Sequence, residues 1–248
     1  MRKSIGQDIQ KLIGTAISRF GMIRPGDRLA VGISGGKDSL TMLDMLLKLQ
    51  RKAPVRFDLA AFTIQQGKFL TPIEVLETHL KDRGVPWLLL EDPPSLRLVR
   101  NQVDHGCDVC SRFRRRAVYL AAQRLGANVI ALGHTADDFA EALLRNILFT
   151  GSAKPLLVHA ESKQGEFRLI RPMILVTEDR IEEYARSGAL PIVPCSCSLK
   201  TDTARGHVRS FVRRLAAENP HVMTNVLATG MKLLAGRSRA KAMVSEDF

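Results

Sequence analysis

Leu29-Ala30-Val31-Gly32-Ile33, followed at once by Ser34-Gly35-Gly36-Lys37-Asp38-Ser39, is the stretch that decides how this chain folds. The apolar run is short, reads as a buried strand, and is cut off by two glycines. Beyond them Leu40, Leu43, Leu46 and Leu47 recur at helical spacing, while Thr41, Asp44 and Lys48 form a narrow polar stripe on the same helix. The result is one strand-loop-helix unit. Its glycines let the backbone approach a ligand closely. The amides at the helix start, the hydroxyls of Ser34 and Ser39 and the Lys37 ammonium all favour phosphate. It is not a Walker loop. Counting from Gly32, only three residues precede Gly36-Lys37, and Asp38 stands where a magnesium-binding Ser or Thr would be.

The same alternation extends outward in both directions. Ile5, Ile9, Leu12, Ile13, Ala16 and Ile17 give an N-terminal helix, and Arg24-Pro25-Gly26-Asp27 turns it into the first strand. Downstream the pattern predicts a strand over 57–64, a helix over 73–83 and a strand over 87–90. A helix over 112–125, a strand over 129–132 and a helix over 137–148 follow. Such alternation predicts an α/β fold, a mainly parallel doubly wound sheet with ligands where strands end and helices begin. After Gly151 the pattern loosens into a polar loop over 163–166. An extended stretch over 167–175 and a helix over 178–187 closed by Gly188 come next. From 203 to 241 the chain reads as helical and basic. The expected organisation is an N-terminal helix over 1–25, a nucleotide domain carrying the cysteines over 26–202, and a basic helical segment over 203–248.

With 45% apolar and 25% charged residues the composition is that of an ordinary globular protein, which excludes wholesale disorder and fibrous designs. No run approaches the roughly 20 apolar residues of a membrane span, and 1–28 lacks a signal peptide's apolar core, so no membrane association and a cytoplasmic location are expected. In a reducing compartment four cysteines point to metal or redox chemistry rather than disulfides. A net charge of +12 points to a polyanionic partner. Arg205, Arg209 and Arg213, at helical spacing, would align into one positive stripe in a stretch where only Glu218 opposes them. A solvated helix face would carry the same pattern. Aromatic residues are only 5% of the chain, which suits backbone contact better than stacking on many bases.

Two further motifs carry chemistry. Gly133-His134-Thr135-Ala136-Asp137-Asp138 again ends a strand and starts a helix, and its carboxylates could hold magnesium or cap the helix. Cys107-Asp108-Val109-Cys110 precedes a basic run of Arg112, Arg114, Arg115 and Arg116. Two cysteines three apart can chelate one metal centre, and they can equally form a thiol-disulfide pair or two inert thiols. Cys195 and Cys197 offer further thiolates from a distant part of the chain. Three thiolates suit a cubane cluster with one iron left open, and zinc remains the alternative metal.

The loop resembles the Ser-Gly-Gly-x-Asp-Ser signature of the PP-loop ATP pyrophosphatases, which split ATP between its α and β phosphates and adenylate a substrate oxygen. That resemblance implies that Ser34, Gly35, Gly36 and Ser39 grip pyrophosphate, that Lys37 steadies its charge, and that Asp38 serves catalysis or magnesium placement. It also implies that His134, Asp137 and Asp138 belong to the ATP site. With Ala131-Leu132-Gly133-His134, the cysteine pair before its arginines, 143–151, Ile170-Arg171-Pro172 followed by Glu178, and Pro191-Ile192-Val193-Pro194-Cys195, the chain resembles the tRNA 2-thiocytidine synthetase family over most of its length. This implies a PP-loop (adenine nucleotide alpha hydrolase-like) sheet and an enzyme that thiolates tRNA with ATP, magnesium and a [4Fe-4S] cluster. It further implies catalytic roles for Lys37, Asp38, Cys107 and Cys110, RNA contacts from Arg112, Arg114, Arg115, Arg116, Arg205, Arg209 and Arg213, a sulfur donor such as a cysteine desulfurase, and a homodimer. The family's third ligand lies near Cys-Gly-Ser-Gln, where this chain reads Cys197-Ser198-Leu199-Lys200, so the resemblance implies Cys107, Cys110 and Cys197 as ligands, with Cys195 as the alternative. Rival readings are an amine ligase of lysidine-synthetase type, a 2-thiouridine synthetase and a non-catalytic nucleotide-binding redox sensor.

Overall fold

The computed structural model describes residues 4–67, 69, 72–100, 107–162, 166–188, 190–193 and 204–245. These fall into two compact units, one drawn from 1–134 and 158–199, the other from 135–157 and 200–248.

The first unit is built on a six-stranded sheet. Its strands are β1 (Arg28–Gly32), β2 (Asp58–Gln65), β3 (Trp87–Glu91), β4 (Val129–Ala131), β5 (His159–Glu161) and β6 (Arg168–Ile170). They stand in the order β3-β2-β1-β4-β6-β5, all parallel except β5, which runs antiparallel to β6 at one edge. Chain order moves outward from β1 through β2 to β3 on one side and restarts with β4 on the other. The strand order therefore reverses between β1 and β4. A doubly wound sheet opens a crevice beyond the carboxyl ends of the strands at such a place.

The helices of this unit are α1 (Ile5–Arg19), α2 (Lys37–Gln50), α3 (Glu74–Lys81), α4 (Pro93–Arg100), α5 (Cys107–Arg124) and α7 (Glu178–Ser187). Ser4 caps α1 in a reciprocal box with Gln7. Ala30 of β1 packs with Phe62, Leu90 and Ile130 of neighbouring strands against Ala117, Ala121 and Ala122 of α5. These small residues let the helix lie close to the sheet. Leu29 and Val31, out of phase with Ala30, are equally buried, as expected of a strand covered on both faces.

Helix α4 begins at Pro93-Pro94, because proline is tolerated in a first helical turn, whose N–H groups have no intrahelical partner. Two elements differ from the pattern in the sequence. The stretch over 167–175 yields only the short β6, after which 171–176 turns, with Ile174 and Val176 fully buried. Helix α5 begins at Cys107, five residues before the expected start at Arg112, so the cysteine pair belongs to its first turn.

The second unit is helical. It contains α6 (Ala136–Thr150), α8 (Ala204–Glu218) and α9 (Val222–Ser245). Gly230 of α9 lies so near α6 that a Cβ there would sit 2.3 Å from the Phe139 ring, so only glycine permits this crossing. Helix α6 packs on both α8 and α9 and, although it follows β4 directly in sequence, belongs with these C-terminal helices. Among the described residues no helix is long and apolar enough to cross a membrane.

Candidate functional site

The loop 33–36 joins β1 to α2 at the point where the strand order reverses. Ser39 is buried and pins the loop from within: its hydroxyl donates to the Gly36 carbonyl at 3.0 Å and accepts from the Ser34 amide at 3.1 Å. The Ser34 hydroxyl lies 3.2 Å from it and faces solvent. Ser39 is therefore the loop's internal support, and Ser34 is the hydroxyl exposed to a ligand. Gly36 is the N-cap of α2, and no side chain caps that helix. First-turn amides of this kind, at the positive end of the helix dipole, favour an anion.

Two glycines are demanded by the space around the loop. Gly35 has φ +80, and a Cβ there would meet the Val193 carbonyl at 3.0 Å. Its own carbonyl accepts from the Val193 amide at 2.9 Å, which ties the stretch 190–193 to the loop. Gly133, just beyond β4, allows the backbone of Ser39 to approach to 3.3 Å from its Cβ position. The loop after β1 and the turn after β4 thus touch through backbone.

Lys37, the first residue of α2, has its Nζ 3.3 Å from Asp38 Oδ1 and 3.8 Å from Glu182 Oε1 of α7. Burial pulls its pKa down, but Asp38, Glu178 and Glu182 outweigh that and hold it above the ordinary lysine value, so the ammonium stays charged. In the second unit, Thr135 and Asp138 cap α6 reciprocally. The Asp138 carboxylate accepts from the Thr135 amide at 3.0 Å, and the Asp138 amide donates to the Thr135 hydroxyl at 3.2 Å. Asp138 is thus engaged as a helix cap, while Asp137 is half-buried beside it. His134 follows β4 and is half-buried, its amide donating to the Leu132 carbonyl.

A family model described as a PP-loop domain matches residues 94–216. A tRNA-cytidine(32) 2-sulfurtransferase of Geobacter sulfurreducens is 38% identical over 224 residues, covering 88% of this chain and 87% of the relative. One from Anaeromyxobacter dehalogenans (strain 2CP-C) is 39% identical over 216 residues, covering 86% and 74%. The chain belongs to the tRNA-cytidine(32) 2-sulfurtransferase family. The fold is also that of the U34-tRNA thiolase NcsA from Methanococcus maripaludis, solved with its [4Fe-4S] cluster. That structure superposes with a TM-score of 0.76 at 20% identity, covering 93% of this chain and 79% of that one.

The residues that the sulfurtransferase family implies are distributed as follows. Cys107 and Cys110 lie one turn apart at the start of α5. That helix is followed by β4, whose amino end pairs with that of β1, so its 18 residues, about 27 Å, run back from the carboxyl edge of the sheet. The cysteine turn is therefore at the edge where the loop is. Cys195 and Cys197 lie outside the described residues, as do the side chains of Cys107, Cys110 and Arg205. Among the described residues no group of three or more His, Cys, Asp or Glu side chains is arranged to hold a metal. The donor set fits a sulfur-ligated centre in chemistry and in backbone placement, because thiolates suit iron and two of them start a helix at this edge.

Arg112, Arg114, Arg115 and Arg116 are exposed along α5, and Arg213 is exposed on α8. Arg209 departs from the expected outward stripe. It is half-buried, and its Nε donates to the carboxylate of Glu141, a buried acid on α6. A charge among Phe139, Ala140 and Leu143 must be paired, and α8 supplies the partner between its buried Val208 and Val212. Glu141 inside that apolar run was the sequence signal for this pair.

Proposed function

We propose that this protein is an ATP-dependent tRNA sulfurtransferase that adenylates the 2-carbonyl oxygen of a cytidine, position 32 by kinship with its relatives, and replaces that oxygen with sulfur. One observation carries the reading. The Val193 amide is bonded to the carbonyl of Gly35 in the phosphate loop. Val193 stands two residues before Cys195 in the sequence, so the stretch that leads into the second cysteine pair is anchored at this loop. Cys107 and Cys110 begin α5 at the same sheet edge, which supports thiols of both pairs serving one centre.

ATP binds with its β and γ phosphates over the first turn of α2, received by backbone amides, the Ser34 hydroxyl and Lys37. The cytidine oxygen attacks the α phosphorus, pyrophosphate leaves, and the adenylated ring carbon becomes electrophilic. Lys37 and the helix start stabilise the charge that gathers on the leaving group. Asp38 is the carboxylate proposed to place magnesium, and His134, just beyond β4, is proposed to belong to the nucleotide site. A cluster on Cys107, Cys110 and Cys197 or Cys195, with one iron open, would supply bound sulfide as the nucleophile. Exposed arginines of α5, together with Arg213, contact the tRNA backbone. The reaction takes place in the cytoplasm with a cysteine desulfurase as sulfur donor.

Protein reconstituted without oxygen should form AMP, pyrophosphate and thiolated cytidine from ATP and tRNA, as read by nucleoside mass analysis. Full activity in Asp38→Ala or Cys107→Ser protein would end the assigned roles.

A further inference from the structure

Lys37, Thr41, Asp44 and Lys48 lie on one stripe of α2, and that stripe meets α7. At its lower end the Tyr184 hydroxyl donates to Asp44, and Lys48 Nζ reaches Tyr184 Oη at 2.7 Å and Asp44 at 3.1 Å. In the middle Thr41 is fully buried. At the top, Lys37 meets Glu182 at 3.8 Å, with the buried carboxyl of Glu178 adding its field. The lower pairing fixes the two helices together. The upper one involves the very cation that the phosphate loop offers to its ligand.

We propose that Glu182, backed by Glu178, competes with the nucleotide's phosphates for Lys37 and thereby sets how readily pyrophosphate leaves after adenylation. A highly charged leaving group held by a helix start and a lysine would be slow to depart. A carboxylate already seated near the lysine takes the cation back, and its charge repels the departing anion. Glu182 has a side chain about half exposed, at 47%, so it can swing aside for the phosphates and return. Glu178 is fixed at the first turn of α7 and keeps the local potential negative. Glu182 is thus a positioning residue for Lys37, acting without touching the reacting atoms.

The inference rests on the loop being a pyrophosphate site, and the test separates the two. Binding of magnesium pyrophosphate and of ATP to the full chain is measured by calorimetry for the unaltered protein, Glu182→Gln, Glu182→Asp and Glu183→Gln, at about 0.15 M salt, where distant surface charges are screened. Glu182→Gln should tighten pyrophosphate about threefold and lower its inhibition constant against AMP formation by the same factor. Glu182→Asp should fall between, and Glu183→Gln, also exposed on α7, should leave the affinity where it was. A merely structural defect would weaken binding, so a gain in affinity is the discriminating sign. Unchanged or weaker binding in Glu182→Gln, or equal tightening in Glu183→Gln, overturns the proposal. If the unaltered protein binds neither ATP nor pyrophosphate, the loop reading itself fails.

Discussion

The two ends of the sheet handle polar residues in opposite ways. At the amino end Asp27, nearly fully buried, accepts from the guanidinium of Arg168, from Asn128 Nδ2 at 3.0 Å and from the Arg24 amide at 2.6 Å. Asn128 returns a bond by accepting from the Arg28 amide at 2.8 Å, and Arg168 also donates to the Met22 carbonyl at 3.4 Å. Every partner there is supplied by the chain itself, and two of them, Asn128 just before β4 and Arg168 of β6, are distant in sequence, so the network locks β1, β4 and β6 in register. At the carboxyl end the helix start has no side-chain cap, and Lys37 pairs with the part-exposed carboxylates of Asp38 and Glu182, which under the proposed function give way to phosphates. A closed network gives stability, and an open one gives binding.

That contrast breaks most visibly at Asp27. Replacing it with alanine leaves a buried guanidinium without its counter-charge and should cost about 3–5 kcal/mol, read by urea unfolding, with ATP affinity of the folded fraction retained. Lys37→Met should do the reverse. Stability stays within about 0.5 kcal/mol, while pyrophosphate binding weakens by about 1.5–3 kcal/mol, the value of a charged hydrogen bond. Gly133→Ala should fall between, because a methyl pressed on the Ser39 backbone must displace the first turn of α2. A loss of about 1–2 kcal/mol in stability, accompanied by weaker ATP binding, would show that the two sheet turns act together.

Thr41 sharpens the comparison in the other direction. It is buried with no hydrogen-bond partner for its hydroxyl, so Thr41→Val should be neutral or stabilising by up to about 1 kcal/mol in a thermal melt. The smallest effect concerns pH. The folded pKa of Lys37 is raised, so its ion pairs contribute fully below the ordinary lysine value and are lost only as pH rises through the raised one. From about pH 6 to 9 the Lys37 contribution to stability and to pyrophosphate affinity should therefore be constant. A decline across that range in the unaltered protein that is absent from Lys37→Met would place the lysine's pKa too high in this account.

Much of this was legible in the sequence because it is local. The strand, the glycines and the periodic leucines around Ser34–Ser39 are encoded within a few turns of chain, and the alternation that follows fixes a parallel sheet. The switch point followed from the fold class. What was hidden depends on partners far along the chain. Ser39 has the residue type of a phosphate ligand, yet it is buried as the loop's pin. The polar stripe of α2 was visible, but nothing nearby in sequence reveals that α7 covers it. Arg209 has the spacing of an outward stripe and turns inward because Glu141, on another helix, needs a counter-charge. Gly35 and Val193 meet across most of the chain, so the bond that ties the stretch 190–193 to the loop could be read only from the fold.

The proposed function requires that thiols far apart in the sequence serve one centre. Each of Cys107, Cys110, Cys195 and Cys197 is changed singly to serine, and Cys195 and Cys197 are also changed together. The iron content and visible absorption of the anaerobically reconstituted proteins are then measured. The brown cluster should be lost in Cys107→Ser, in Cys110→Ser, in one of the two later single variants and in the double variant. A cluster that survives intact in Cys107→Ser or in the double variant would contradict that requirement.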